Sequence, residues 1–217
     1  MAHAPSTCSN CGRPVEGEFA PHLCAACGRP QHVEKTEDTF TAFGVRRLFH
    51  HDLKAIERRF YALSRALHPD RFAGSGPAVM AVSLERMSFL NRAFSAFRSP
   101  EVLRDALLVA EGIEIPKNQG QQIPVELAEA WFELQEAATE EPETAIARIS
   151  AFEDDLLHRQ DLLNARIEEL EQRYDKGPAR EPLLEIALIL QARSYLFSMG
   201  RDVIRLKNRL NGSASLG

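Results

Sequence analysis

Long hydrophobic runs are missing from this chain of 217 residues. No stretch of eighteen apolar side chains occurs, so no membrane span is expected. The opening residues, Met1-Ala-His-Ala-Pro-Ser-Thr7, hold neither an apolar core nor an Arg-rich amphipathic stretch. Neither a secretory signal nor a transit peptide is therefore expected, and a cytoplasmic protein is. Cysteine is absent after residue 27, and all four cysteines fall within residues 8–27. A disulfide framework would be spread along a secreted chain, so this cluster points to metal binding. Clean strand alternation is missing outside the cysteine segment, which argues against a sheet. There is no phosphate loop, nucleophile motif or open metal site, so the chain is not expected to be an enzyme. Neither sign of charge dominates: 31 acidic against 26 basic residues leave a net −5, which speaks against general nucleic-acid binding.

Hydrophobic residues make up 44% of the chain, enough for an ordinary core. Breaks in pattern divide it into a cysteine segment (1–37), a helical segment (38–112), a polar linker with Pro116 and Gly120 (113–123), a second helical segment (124–211) and a small polar tail expected to fray (212–217). The expected fold class is mainly α: a small four-cysteine zinc-knuckle module, a helical hairpin and a C-terminal antiparallel three-helix bundle.

Within the first segment, Cys8-Ser-Asn-Cys11-Gly-Arg-Pro14 is echoed by Cys24-Ala-Ala-Cys27-Gly-Arg-Pro30. Each C-x-x-C turn brings two thiolates about one metal radius apart, and the following glycine permits the positive φ of the turn. Two such turns make a closed tetrahedral set, Cys8, Cys11, Cys24 and Cys27, whose usual occupant is one structural Zn2+ per chain. The alternative, two redox-active thiol pairs, needs a βαβ context that the sequence lacks. His22 and His32 are expected to be solvated loop residues rather than ligands. Because the module is set apart in sequence, its metal is expected to be dispensable for the helices.

Asp38-Thr-Phe-Thr-Ala-Phe-Gly44 suggests a short helix stopped by glycine. Asp52 is an N-cap candidate for a helix to Leu67, with Ile56, Phe60, Leu63 and Leu67 as the buried stripe. Lys54, Arg58 and Arg65 repeat the same spacing two residues out of phase, about 200° away, and form a basic row facing away from the core. This helix ends in His68-Pro69-Asp70, followed by Arg71, Phe72 and a Gly/Ser/Pro turn. A second helix, with Met87, Leu90, Phe94 and Phe97 as its stripe, ends at Ser99-Pro100. By themselves, His68 and Pro69 could simply terminate a helix, and the basic row could be a solvated face.

In the C-terminal segment three helices are expected: 124–139 with Leu127, Trp131 and Leu134 inward, 142–174 with a coiled-coil-like apolar repeat, and 181–210. The last has two apolar rows, Leu183, Leu190, Phe197 and Ile204, and Ile186, Ile189, Leu196 and Val203. Phe132 lies about 100° off the first helix's stripe, and an interhelix core position remains the alternative for it. Residues 124–176 carry fifteen Asp/Glu against five Arg/Lys, a net −10, whereas residues 45–72 carry seven Arg/Lys against three Asp/Glu, a net +4. The two segments therefore favour partners of opposite charge.

Two antiparallel helices joined by His-Pro-Asp, after a short helix, resemble a J-domain. Asp38-Thr-Phe-Thr-Ala-Phe-Gly44, His68-Pro-Asp-Arg-Phe72, Leu90-Asn-Arg-Ala-Phe94 and Arg98-Ser-Pro-x5-Ala106-Leu-Leu108 are similar to the HscB branch of J-proteins, over residues 8–211. That resemblance implies a co-chaperone rather than an enzyme. Its chaperone-binding residues would be His68, Pro69, Asp70, Lys54, Arg58, Arg65 and Arg71, facing an HscA/DnaK-class ATPase whose hydrolysis they stimulate. It further implies an IscU-type iron–sulfur scaffold as client, bound by Ala128, Phe132, Glu133 and Glu136 and by Leu196 or Phe197 on the last helix. Ala128 and Glu129 stand where the family has larger apolar residues. Other readings are a general J-protein for unfolded chains and a zinc-ribbon nucleic-acid-binding protein; no nucleic-acid or membrane partner is expected on the first reading.

Overall fold

A computed structural model of the chain describes residues 7–115 and 125–214, the side chains as far as 211. It divides into two compact units, Met1–Gly112 and Ile113–Gly217. Among the described residues the only extended pairings are two isolated antiparallel bridges, Thr7 with Pro14 and Leu23 with Pro30, and everything else that is regular is helical. No described helix is long and apolar enough to cross a membrane.

The first unit is built on a hairpin of α1 (Leu53–Leu67) and α2 (Pro77–Phe97). Asp52 caps α1 by accepting from the backbone N–H groups of Lys54 and Ala55, satisfying two donors that the first turn leaves open. Ile56, Leu63 and Leu67 are buried, and half-buried Phe60 stacks flat on Phe94 of α2 at 4.3 Å. The short helix before α1 is a single 3-10 turn, Thr41–Phe43, ended by Gly44 at φ 65. Its aromatic rings close the far end of the hairpin: Phe40, Phe43 and His51 all meet Phe97 edge-on, with centroids 5.0–5.9 Å away. Pro100 does not end the helical run. After one extended residue, Ser99, it opens a further helix, α3 (Pro100–Ala110), whose Leu103, Leu107 and Leu108 are buried. Arg47 ties the entry to the hairpin to the end of the unit, donating to Asp38 at 2.6 and 2.9 Å and to Glu111 at 3.2 Å.

The second unit consists of α4 (Val125–Glu140), α5 (Pro142–Lys176) and α6 (Arg180–Ala214). The residues 116–123 expected as linker, and Pro124, lie outside the described residues, as do 215–217 of the expected tail. The helix itself continues to Ala214. At 35 residues each, α5 and α6 run about 52 Å, whereas the 16 residues of α4 run about 24 Å. Only part of the hairpin can therefore be a three-helix bundle. That part holds Leu127 and Leu134 of α4, Ile149, Phe152 and Leu156 of α5, and Leu196, Met199, Val203 and Leu206 of α6, with Trp131 stacked on Phe152. Ile167, Leu170, Tyr174, Leu183 and Ile186 are buried on the remaining stretches of α5 and α6. One expected row on α6 is not a core row: Leu183 is buried, but Phe197 and Ile204 are exposed, because the other row, through Leu196 and Val203, faces the bundle.

Ile149 is fully buried where the three helices meet. Ile149→Ala should lower the stability of the second unit by about 2–5 kcal/mol, since the site cannot collapse around the missing carbons. Urea denaturation followed by circular dichroism measures it, and a change under about 1 kcal/mol would show that the bundle core is not closed there.

Candidate functional site

The two cysteine turns are near-copies in structure as in sequence. Gly12 N–H donates to the Cys8 carbonyl and Gly28 N–H to that of Cys24, at 3.0 and 2.8 Å, with both glycines at φ near 70°. The turns bring all four sulfurs within 4.8 Å of one another, with Cys8–Cys27 at 3.7 Å and Cys11–Cys24 at 3.8 Å. Tetrahedral ligands at a metal–sulfur bond of about 2.3 Å stand about 3.8 Å apart, so the four thiols fit a single metal ion. Their acidity agrees. Burial pushes the Cys8 thiol up, but backbone N–H groups of Cys11 and Asn10 and the neighbouring thiols outweigh it and bring it to about 6. At Cys11 the backbone at Arg13 favours ionisation, yet burial and its three thiol neighbours drive it to about 11. One thiolate forms readily and the next does not, which is the condition a bound cation relieves.

The cysteine module is not set apart from the helices. Arg86 of α2 is 1% exposed and reaches into it. Its Nε donates to the Gln31 carbonyl at 2.5 Å, Nη1 and Nη2 donate to the Glu37 carboxylate at 2.5 and 2.8 Å, and Nη2 also donates to the His32 carbonyl. Gln31 in turn donates from its amide to Cys8 Sγ at 3.4 Å. His22, expected to be solvated, is fully buried: its ring bonds the Ala42 carbonyl at 2.8 Å and faces Arg86 at 3.3 Å. Burial, reinforced by the Arg86 charge, lowers it to about 4, so it is a neutral packing residue at pH 7 with Nε2–H as the donor. His32 is exposed as expected and pairs with Glu85 at 2.8 Å. On α1, Arg59 donates to the Glu18 carbonyl at 2.6 Å and lies over the Phe19 ring. The module is thus in contact with the helices: α1 and α2 supply partners to it, which argues against the expectation that its metal is dispensable for them. Sequence did carry a signal for Arg86: it falls on the buried stripe Ser83, Leu90, Ala93 and Phe97 of α2, where an unpaired charge is not tolerated.

At the other end of α1, His68 closes the helix, its Nδ1 accepting weakly from Asp70 N–H at 3.4 Å, and Pro69–Ser75 forms a 3-10 turn. Two buried contacts hold this connection. Ser83 of α2 donates to the Leu67 carbonyl at 2.5 Å, and Phe72 is sunk into the unit. His68 and Asp70 nonetheless stay 57% and 89% exposed, presented to solvent by a fixed frame. Lys54, Arg58, Arg65 and Arg71 are all exposed, and none has an ion-pair partner among the described residues. By contrast, Arg47, Arg59 and Arg86 are all engaged within the unit.

In the second unit Phe132 is 66% exposed and thus not an interhelix core residue. Glu133 and Glu136 are exposed beside it, and Ala128 is half-buried. On α6, Phe197 is exposed under the Arg193 guanidinium, 5.5 Å from its centroid. Leu196 is the correction: at 6% exposure it belongs to the bundle core against α4 and α5, and it offers no surface to a client.

No family model matches the chain. Among solved structures, human co-chaperone protein HscB is similar at a TM-score of 0.58 and 23% identity, over 93% of this chain and 98% of that one. Chaperone HscB from Vibrio cholerae is similar at 0.45 and 23% identity, over 80% of this chain and 99% of that one. At this identity the likeness to the human structure is one of fold, and it runs over nearly the whole of both chains.

Because Gln31 links Cys8 to Arg86, occupancy of the four-cysteine site should stabilise the hairpin as well as the module. A metal that binds only the folded state raises its stability. Metal-loaded protein treated with a strong chelator should therefore lose helical signal at a lower temperature than untreated protein. Superimposable far-ultraviolet melts would show that the module and the helices are uncoupled.

Proposed function

We propose that the chain is a J-domain co-chaperone of the HscB type, which delivers an IscU-type iron–sulfur scaffold to an HscA/DnaK-class chaperone and stimulates its ATP hydrolysis. The observation that carries this reading is the exposed His68-Pro69-Asp70 connection, fixed by Ser83 and Phe72 at the end of a helix whose outward cations have no ion-pair partner among the described residues. The human HscB fold supports it. No covalent chemistry falls to this chain. Lys54, Arg58, Arg65 and Arg71 draw in an acidic partner surface and fix its orientation. His68, Pro69 and Asp70 then meet the partner as a preformed unit, and hydrolysis takes place in the partner. Zinc is the metal we assign to Cys8, Cys11, Cys24 and Cys27, in a structural role, since a closed thiolate set leaves no open position. The cytoplasm, where thiols stay reduced, suits it.

The client surface follows from the second unit. An exposed aromatic on an acidic helix suits a basic client, with Phe132, Glu136, Ala128 and Glu133 (which also pairs with Arg148 at 3.7 Å) on α4 and Phe197 on α6.

Steady-state ATPase assays with a DnaK-class chaperone test the first part. The chain should stimulate turnover, and His68→Gln should abolish stimulation while leaving the far-ultraviolet signal unchanged, because the side chain is exposed. Full stimulation by His68→Gln would remove the J-domain reading. For the client surface, Phe132→Ala should weaken binding of a purified scaffold by about tenfold or more and leave the melting temperature nearly unchanged, since no core cavity opens. Unchanged affinity would move the client elsewhere, and binding of unfolded chains but not the scaffold would favour a general J-protein.

A further inference from the structure

One aromatic on the outer face of α1, next to exposed Glu57, belongs to neither the core nor the basic row. Tyr61 is 54% exposed. Positions 54, 58, 61 and 65 fall within about 60° of one another around the helix, so Tyr61 stands among the cations, between Arg58 and Arg65 along the axis. Its ring is not loose. It leans on Phe60, with centroids 5.7 Å apart and planes at 57°, and Phe60 is itself stacked on Phe94. A half-buried residue that is itself stacked on α2 thus lies against the exposed aromatic and favours its outward rotamer, which lowers the ordering cost on contact. Among the described residues nothing hydrogen-bonds its hydroxyl. A half-wet aromatic within an unpaired basic face has the anatomy of a binding hot spot, an apolar anchor inside a charged rim.

We propose that Tyr61 is a specificity-determining contact of this face, its ring entering an apolar recess in the acidic surface of the ATPase while Lys54, Arg58 and Arg65 pair with the acidic groups around it. This rests on the co-chaperone reading and adds to it a non-electrostatic component. Charges on a long helix steer many acidic surfaces alike; a ring that needs a recess discriminates between them. Interleaved basic and aromatic residues also occur in nucleic-acid binders, where bases stack on an open ring face. Here the ring leans at 57° against Phe60, and the second unit is strongly acidic, so a protein surface is the better match.

The test uses the full chain and a purified DnaK-class ATPase, titrating wild type, Tyr61→Ala, Tyr61→Phe, Tyr61→Arg and His68→Gln. Tyr61→Ala should raise the concentration for half-maximal stimulation about tenfold or more. Tyr61→Phe should stay within about twofold of wild type, because the ring and not the hydroxyl makes the contact. Tyr61→Arg should be impaired like Tyr61→Ala although it adds a cation to the row. Melting curves should be nearly the same for all five, as the sites are exposed. If Tyr61→Ala matches wild type while His68→Gln is inactive, the proposal fails and the co-chaperone reading stands. If Tyr61→Arg outperforms wild type, the face acts through charge alone and the proposal fails. If wild type does not stimulate at all, both fail. Binding of single-stranded RNA or DNA at physiological salt that is lost in Tyr61→Ala would overturn it in favour of a nucleic-acid face.

Discussion

A guanidinium carries a permanent charge and five donors, and burying it demands that both be answered in one place. Arg86 imposes that demand on the first unit. Glu37 supplies the opposite charge, the carbonyls of Gln31 and His32 take further N–H groups, and His22 must stay neutral to lie against it. Every one of those partners belongs to the segment between the second cysteine pair and α1, or to the cysteine module itself. The path of the chain from the four cysteines to the hairpin thus follows the needs of one side chain on α2. Removing that side chain alone would leave Glu37 buried and uncompensated, a change of the kind that costs about 3–5 kcal/mol.

The same unit sorts its cations into two sets. Arg47, Arg59 and Arg86 are engaged in internal geometry, whereas Lys54, Arg58, Arg65 and Arg71, on the outer side of α1 and the turn after it, have no ion-pair partner among the described residues. Net charge over residues 45–72 hides this division, since it counts Arg47 and Arg59 along with the exposed set. What an approaching molecule meets is the second set, held on a helix that the Phe60–Phe94 stack and the Asp52 cap keep rigid.

Features with a local cause were legible from the residues. The Asp52 cap, the knuckle turns with Gly12 and Gly28, the stripe on α1 and the outward position of Phe132 each depend on neighbours within a turn or two. What escaped is long-range. Arg86 meets Gln31 and Glu37 from about fifty residues away, and nothing near position 22 marks His22 as buried. The helix α3 was missed for another reason: Pro100 signals an end and a beginning equally well, and only the burial of Leu103 and Leu107 decides between them. On α6 the apolar arc is wide, and periodicity alone does not say which side α4 covers, so it does not tell which of Leu196 and Phe197 is buried and which exposed.

The mismatch in helix length within the second unit has an energetic side. In the part nearer the α4–α5 turn the buried apolar side chains come from three helices, while the α5–α6 turn at Gly177 lies at the end that α4 does not reach. Stability need not be uniform along such a pair. Fewer enclosing neighbours mean a smaller cost of separating the two helices of the hairpin locally, and cross-links such as Arg166 to Glu185 at 2.7 Å are exposed and screened by salt. The hairpin tip would therefore open as its own cooperative segment, with its amide hydrogens exchanging ahead of those around Ile149 and Val203, and the surface that carries Phe132 sits on the slow-exchanging end.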